Sequence, residues 1–471
     1  MELEDLKIKN YVEWQKLAYE VDRKNNLLAW REDESSDLFH SVLLKEHIET
    51  MLSLKNEGKG YELANVVQES LSRHFWELNN SKLYTTAYSG TKYLISRYFS
   101  VIEECINFIC DNDFKELSKN QKIKIFSEGN KIHGNTALLL SGGASFGIYH
   151  LGVIKALLEE NLIPEIISGS SMGAIVAACV CTKTDMELKQ MYSNLKSIHR
   201  VAIRIYKAEE ILKKESVLDP SQLKEHIESN VDDLTFLEAY NKTGRVLNIT
   251  VSATRIRQRP RVLNYLTTPH LLIRQSVLAS CALPGIYPAV SLIAKNRKNE
   301  NIPYMEKEKW IDGSVHLDIP MQRIIRLHNV SRSIVSQANP HVLPFILDNK
   351  ENNMFSFLSD MIISTLQTQL LKLLEAGVDL SEKMPWLSVV EKVRSMMEQQ
   401  YIGDINIYYP MRLDDISKIF ANPSQEEFEK FIKLGELATY PKIEFIRDQM
   451  KLNRILNHCL NRLQNIKKMK E

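Results

Sequence analysis

The chain has 471 residues, 60 Lys and Arg against 59 Asp and Glu, with 25% charged and 44% apolar residues. That length accommodates two or three domains, and the composition excludes collagen-like and disordered classes. A nearly neutral balance argues against nucleic acid as a partner and leaves electrostatic recognition to local features.

The opening MELEDLKIKN lacks a basic region followed by an apolar one, so no secretory signal is expected. From Tyr11 to about Asp113 apolar residues recur at three- and four-residue spacings, with Trp14, Leu17 and Val21 on one face, which predicts an N-terminal helical domain over 1–115. Residues 116–135, polar and Lys-rich with two glycines, read as a connection. From Thr136 short apolar runs (TALLL, EIISG, VLNITVSAT, RSIVSQA) alternate with helical segments. This predicts an α/β domain over 136–345 built on a largely parallel sheet covered by helices. Residues 346–471 read as a mostly helical C-terminal region interrupted by the strand-like INIYYP. No run of 18 or more apolar residues predicts a membrane-spanning helix. Cys105, Cys110, Cys179, Cys181, Cys281 and Cys459 lie in apolar segments and read as reduced core residues, and no Cys/His cluster has zinc spacing. The expectation is a cytoplasmic protein that uses neither metal nor organic cofactor.

Chemistry concentrates in the α/β region. After the strand Ile166-Ile167-Ser168 comes Gly169-x-Ser171-x-Gly173 and then a small-residue helix from Met172. This is the spacing of a nucleophile elbow, where a sharp turn lifts a serine hydroxyl clear of the backbone. One βα unit earlier, SGGASFG places Gly142, Gly143, Ala144 and Gly147 before another helix. Amides at a helix start attract negative charge. A dinucleotide site fits poorly, because Ala144 stands where the third glycine belongs and Glu165 precedes its strand. An oxyanion hole fits better, since two successive βα turns open at one edge of a parallel sheet. A serine also needs a base. Trp310-Ile311-Asp312-Gly313 supplies an acid at a strand end, and His316, His328 or His341 would complete a triad in the order Ser, Asp, His. The residues alone leave dyad and triad open.

Two stretches are candidates for lipid contact. In TRIRQRPRV, Arg255, Arg257, Arg259 and Arg261 alternate, so an extended strand would align four guanidinium groups that could hold phosphate headgroups. A charged edge hairpin with Pro260 is the plainer reading. Met354 to Val378 is long, apolar-faced and nearly uncharged, which suits either a lipid interface or a core helix.

In combination the Gly-rich turn, the elbow and the late Asp-Gly, together with SVLASCALPGIYPAV and SRSIVSQANPHVLPF, resemble the patatin-like phospholipase family over about residues 136–345. Upstream, YVEWQKLAYEVDRKNNLLAW and LYTTAYSGTKYLISRY resemble the helical domain that precedes the patatin domain in fungal and plant storage-lipid triacylglycerol lipases. The resemblance implies a three-layer patatin-like fold flanked by helical regions. It also implies a Ser-Asp dyad of Ser171 and Asp312, an oxyanion hole from the backbone of Gly142, Gly143 and Ala144, and turns at Gly147, Gly169, Gly173 and Gly313. Ala144 in place of the commoner glycine requires that its backbone need not take a glycine-only conformation. The implied activity is hydrolysis of glycerolipid esters, triacylglycerol or phospholipid, without cofactor. Peripheral contact with a membrane or lipid droplet and an activating protein partner are compatible with it. A lysophospholipid acyltransferase and a catalytically silent lipid-surface scaffold are the alternatives.

Overall fold

The computed structural model describes residues 8–71, 77–206, 218–255, 258–284, 286–314, 318–339, 402–410, 418–419 and 421–468. Helices α1 (Tyr11–Lys24), α2 (Leu27–Glu32), α3 (Ser41–Asn56), α4 (Gly60–Ser70) and α5 (Tyr93–Asp111) come first. The central one, α5, buries Ile95, Ile102, Cys105, Ile106 and Ile109 at helical spacing, between α3, α4 and a C-terminal helix.

The polar stretch read as a connection at 116–135 is instead mostly a helix, α6 (Lys119–His133), and that expectation is corrected. A capping box of Ser118 and Gln121 starts it. Phe126 is buried, and the buried Lys122 lays its stem under the surface with its ammonium over the Phe114 ring. Lysine-rich composition concealed a face that is covered.

The α/β unit follows in the order β1 (Asn135–Leu140), α7 (Tyr149–Glu159), β2 (Ile166–Gly169), α8 (Met172–Thr182), α9 (Asp185–Ser193), α10 (Pro220–Asn230), α11 (Phe236–Thr243), β3 (Val246–Ala253), β4 (Arg261–Leu263) and α12 (Ile273–Ser280). Next come β5 (Ile293–Lys295), β6 (Asn301–Pro303), β7 (Trp310–Asp312), α13 (Met321–His328), β8 (Val330–Gln337), β9 (Ile405–Tyr408), α14 (Gln425–Thr439) and α15 (Ile443–Lys468). The main sheet runs β4-β3-β2-β1-β8-β9, with β7 also paired to β3. Strands β1, β2, β3, β8 and β9 are mutually parallel, while β4 and β7 run antiparallel to β3.

Side chains alternate across this sheet as the pleat requires. Leu138, Leu140, Ile167 and Ile249 face the large core containing α7, α8 and α14. Ala137, Leu139, Ile166 and Val246 face a second core closed by Met321 and Ile324 of α13. Helix, sheet and helix make three layers.

The sheet edge strand β9 lies beyond residue 345, so the C-terminal region contributes directly to the α/β unit. Helix α14 packs backbone to backbone on α7: a Cβ on Gly152 would fall 1.8 Å from the Ile432 carbonyl oxygen, and one on Gly435 2.3 Å from that of Tyr149. Helix α15 then ties this unit to the N-terminal helices through Tyr11 to Glu444 (2.7 Å) and by packing on α5 and α6. All six cysteines are buried and free.

Candidate active site

Leu140 and Gly169 are register partners at the ends of β1 and β2, so the two turns that follow open at the same sheet edge. Ser171 caps α8 with φ 52° and ψ −124°. That conformation is nearly reserved for glycine and costs on the order of 1–3 kcal/mol, so the surroundings must hold it. They do so through the Ser171 amide, which donates to Ser280 Oγ at 3.1 Å, and through Ser280 Oγ, which donates to the Thr250 carbonyl at 2.8 Å. The flanking glycines answer a steric demand. A Cβ on Gly169 would lie 2.2 Å from the Gly173 carbonyl oxygen, and one on Gly173 2.4 Å from that of Ser141.

Asp312 ends β7 opposite Val251 of β3, and its amide donates to the Ala282 carbonyl at 3.0 Å. The carboxyl is 2% exposed. Burial pushes its pKa up to about 6, tempered by the hydrogen bond from the Ser314 amide (2.8 Å) and by the nearby Ser171 hydroxyl. A buried acid with a midpoint near 6, beside a strained serine, can accept that serine's proton at neutral pH. Gly313 presses on β3, since a Cβ there would lie 2.4 Å from the Thr250 carbonyl oxygen.

The glycine-rich turn lies against the serine: a Cβ on Gly142 would be 3.4 Å from Ser171 Cβ. Gly143 has φ +142°, and a Cβ there would meet the Ala338 carbonyl oxygen at 2.8 Å. Gly147 leaves space for Met172, whose Cγ would be 2.4 Å from a Cβ at that position.

Ala144 has φ +47°, in the left-handed region that glycine favours but other residues also adopt at a cost, so the conformation is not glycine-only. One expectation about this turn is corrected. The Gly142 amide, expected among the oxyanion donors, is already committed: it donates to Asp318 Oδ1 at 2.9 Å. Among the described residues no hydrogen bond uses the amides of Gly143, Ala144 or Met172. Met172 directly follows the serine at the start of α8, where helix amides lack internal partners.

Asp318 was not singled out from the sequence, nor were Ser280 and Asn339. Asp318 is 2% exposed, accepts from Gly142 through one oxygen and from the Asn339 side chain through the other, and lies within electrostatic reach of Asp312. Its place six residues after Asp312, in DGSVHLDIP, was visible. Nothing in that spacing told that the chain folds back onto the turn after β1.

His328 hydrogen-bonds Asn248 Oδ1 at 2.8 Å at the end of α13, so this structure does not bring it to Asp312. His316, His341, Arg257 and the stretch Met354 to Val378 lie outside the described residues. Of the arginine row, Arg261 opens β4, which pairs antiparallel with β3 at the sheet edge, and residues 258–260 are not in a strand. Arg255 donates to the Lys307 carbonyl at 3.0 Å and approaches Glu308 at 3.6 Å; Arg261 lies over the Trp310 ring. Arg259 is exposed. Among the described residues no group of three or more His, Cys, Asp or Glu is placed to hold a metal ion. No helix among them is long and apolar enough to cross a membrane.

With this geometry in place, comparison with known proteins adds the following. A family model described as patatin-like phospholipase matches residues 138–324, and a domain of unknown function, DUF3336, matches residues 4–131. The chain is 32% identical to triacylglycerol lipase SDP1L of Arabidopsis thaliana over 98% of its own length and 58% of that protein. It is 31% identical to triacylglycerol lipase ptl3 of Schizosaccharomyces pombe over 96% of this chain and 93% of that one. With triacylglycerol lipase 4 of Saccharomyces cerevisiae it shares 30% identity over 96% of its length and 50% of the partner's. It thus spans less than two thirds of several of these relatives. The solved structure of VipD from Legionella pneumophila matches at TM-score 0.31 and 16% identity over 68% of this chain and 67% of that one, which adds nothing to the topology above.

Proposed function

This chain belongs to the patatin-like phospholipase family, and from that premise we propose that it is a serine lipid acyl hydrolase using Ser171 as nucleophile and Asp312 as general base. The observation that carries the reading is the juxtaposition of an elbow that holds Ser171 at φ 52° and a buried Asp312 carboxyl that feels the Ser171 hydroxyl.

Chemistry follows from these groups. The ionised Asp312 takes the hydroxyl proton as Ser171 Oγ bonds to the ester carbonyl carbon, and negative charge collects on the carbonyl oxygen. Amides of Gly143 and Ala144, with Met172 at the start of α8, are the donors for that oxygen. Collapse breaks the ester C–O bond, and the leaving alcohol departs with the proton held by Asp312. Water then gives a proton to Asp312 while its oxygen attacks the acyl-serine. The fatty acid leaves and Ser171 recovers its hydrogen. No step needs a redox partner or a metal.

The named activities of the relatives favour triacylglycerol as substrate. Contact with the lipid surface is assigned to the exposed side of the β3–β4 connection, where Arg255 and Arg259 could meet headgroup phosphate. The deciding experiment measures fatty-acid release from triolein emulsion and from phosphatidylcholine vesicles by wild type and Ser171→Ala, alongside labelling by a fluorophosphonate. Release and labelling that vanish in the variant support the reading. Equal behaviour of the two proteins sinks it and leaves a lipid-surface scaffold.

A further inference from the structure

Resting on the reading of Ser171 as nucleophile, we propose that Asp318 is a positioning residue of the reaction: its carboxylate holds the Gly142 amide and so aims the Gly143 and Ala144 amides at the developing oxyanion. The turn cannot hold itself. Gly143 at φ +142° and Ala144 at φ +47° are both in sparsely populated backbone regions, and such conformations persist when neighbours over-determine them. On one side the turn is pressed against the end of β8, where the missing Cβ of Gly143 leaves room for the Ala338 carbonyl. On the other side Asp318 Oδ1 accepts the Gly142 N–H at 2.9 Å, while the Asn339 side chain, one residue beyond Ala338, donates to Oδ2. One carboxyl therefore joins the turn after β1 to the chain after β8. A Cβ at Gly142 would be 3.5 Å from Asp318 Oδ1 and 3.4 Å from Ser171 Cβ, so the clamp acts beside the nucleophile without touching the reacting atoms.

An asparagine here would still accept from Gly142, and its amide could pair with a turned Asn339 side chain. What the carboxylate adds is charge, which strengthens the bond to the amide and couples Asp318 to Asp312. Burial, with the Asp312 charge adding to it, pushes Asp318 up to about 7 against the Gly142 and Asn339 bonds, while Asp312 lies at about 6. The acids therefore titrate as a pair in two steps. Among the described residues the other titratable neighbours stay neutral through this range. Burial pushes the Cys281 thiol, beside Asp312, well up. It pushes His150 of α7, bonded to the Ser141 carbonyl and Ser336 Oγ, down to about 4.

The test follows the rate of fluorophosphonate labelling of Ser171 from pH 5 to 9 in wild type, Asp318→Asn and Asp318→Ala, with hydrogen exchange of the peptide spanning residues 135–150. Wild type is expected to lose rate on the acid side in two overlapping steps. Asp318→Asn should keep a single, lower step and recover much of the rate, while Asp318→Ala should label at least tenfold more slowly and exchange faster at residues 142–144. Wild-type labelling, exchange and pH profile in Asp318→Ala would overturn the proposal. If that variant does not fold, Asp318→Asn decides, because a retained two-step profile overturns it as well. Absence of labelling in wild type would instead remove the reading of Ser171, and the role of Asp318 with it. A labelled wild type with indifferent variants removes Asp318 alone.

Discussion

Replacing Asp312 by Asn should make the protein more stable and inactive at once, with a pH dependence that identifies the cause. In the folded chain this acid rises from an ordinary 3.8 to about 6 because it is buried. The folded state therefore binds a proton more tightly than the unfolded state does. Below about pH 3 the acid is protonated in both states and contributes no penalty; the penalty grows as pH rises from 3.8, where the unfolded chain ionises, to about 6, where the folded protein does, and is constant above that. At 1.36 kcal/mol per pKa unit the penalty reaches about 3 kcal/mol above pH 7. Asparagine abolishes it while keeping an acceptor for the Ser314 amide. Taken as one cooperative unit of 471 residues, the chain has an unfolding entropy of about 1 kcal/mol/K, so the melting temperature of Asp312→Asn should exceed wild type by about 3 °C at pH 8. At pH 4 the two should differ by less than about 1 °C. The assay is paired thermal melts at pH 4 and pH 8 with ester hydrolysis measured on the same samples. A variant less stable than wild type at pH 8, or equally more stable at both pH values, would refute the argument, since neither follows from a buried ionised carboxyl. Wild-type hydrolysis should decline as pH falls through 6, and a rate unchanged from pH 5 to pH 8 would exclude Asp312 as base.

Other substitutions probe the frame around the site. Gly143→Ala combines a φ of +142° with a Cβ 2.8 Å from the Ala338 carbonyl oxygen and should cost about 2–4 kcal/mol in urea denaturation, together with most of the labelling of Ser171. Gly152→Ala places a methyl 1.8 Å from the Ile432 carbonyl oxygen, so it should force α7 and α14 apart; a urea midpoint equal to wild type would contradict that close crossing. Replacing Arg255 and Arg259 by Ala should weaken sedimentation with anionic vesicles without altering hydrolysis of a short, soluble ester. Unchanged sedimentation would remove these arginines from the lipid contact.

Much of the architecture was legible from local pattern. The strands TALLL, EIISG and RSIVSQA are short apolar runs, and fully buried parallel strands must be. The elbow was equally readable, because close approach of strand and helix admits glycine alone at Gly169 and Gly173. Less was legible where one surface hides another. The Lys-rich stretch that forms α6 looked solvated because its polar residues outnumber the few, such as Phe126, that pack inward. The arginine row allowed either an aligned strand or an edge hairpin, and alternation could not choose between them; among the described residues only Arg261 lies in a strand, at the edge beside β3.

At the site itself the division is sharper. The proposed nucleophile, its candidate acid and the glycine turn were legible in the sequence, because each needs a special local backbone or a particular chemical group, and these are written in neighbouring residues. Which amide of the turn is free was decided by tertiary structure alone. Asp318 reaches Gly142 across 176 positions of chain, Ser280 reaches Ser171 across 109, and Asn339 closes the network from the end of β8. Contacts of that separation form only when parallel strands bring their ends to one edge. No periodicity or spacing records them.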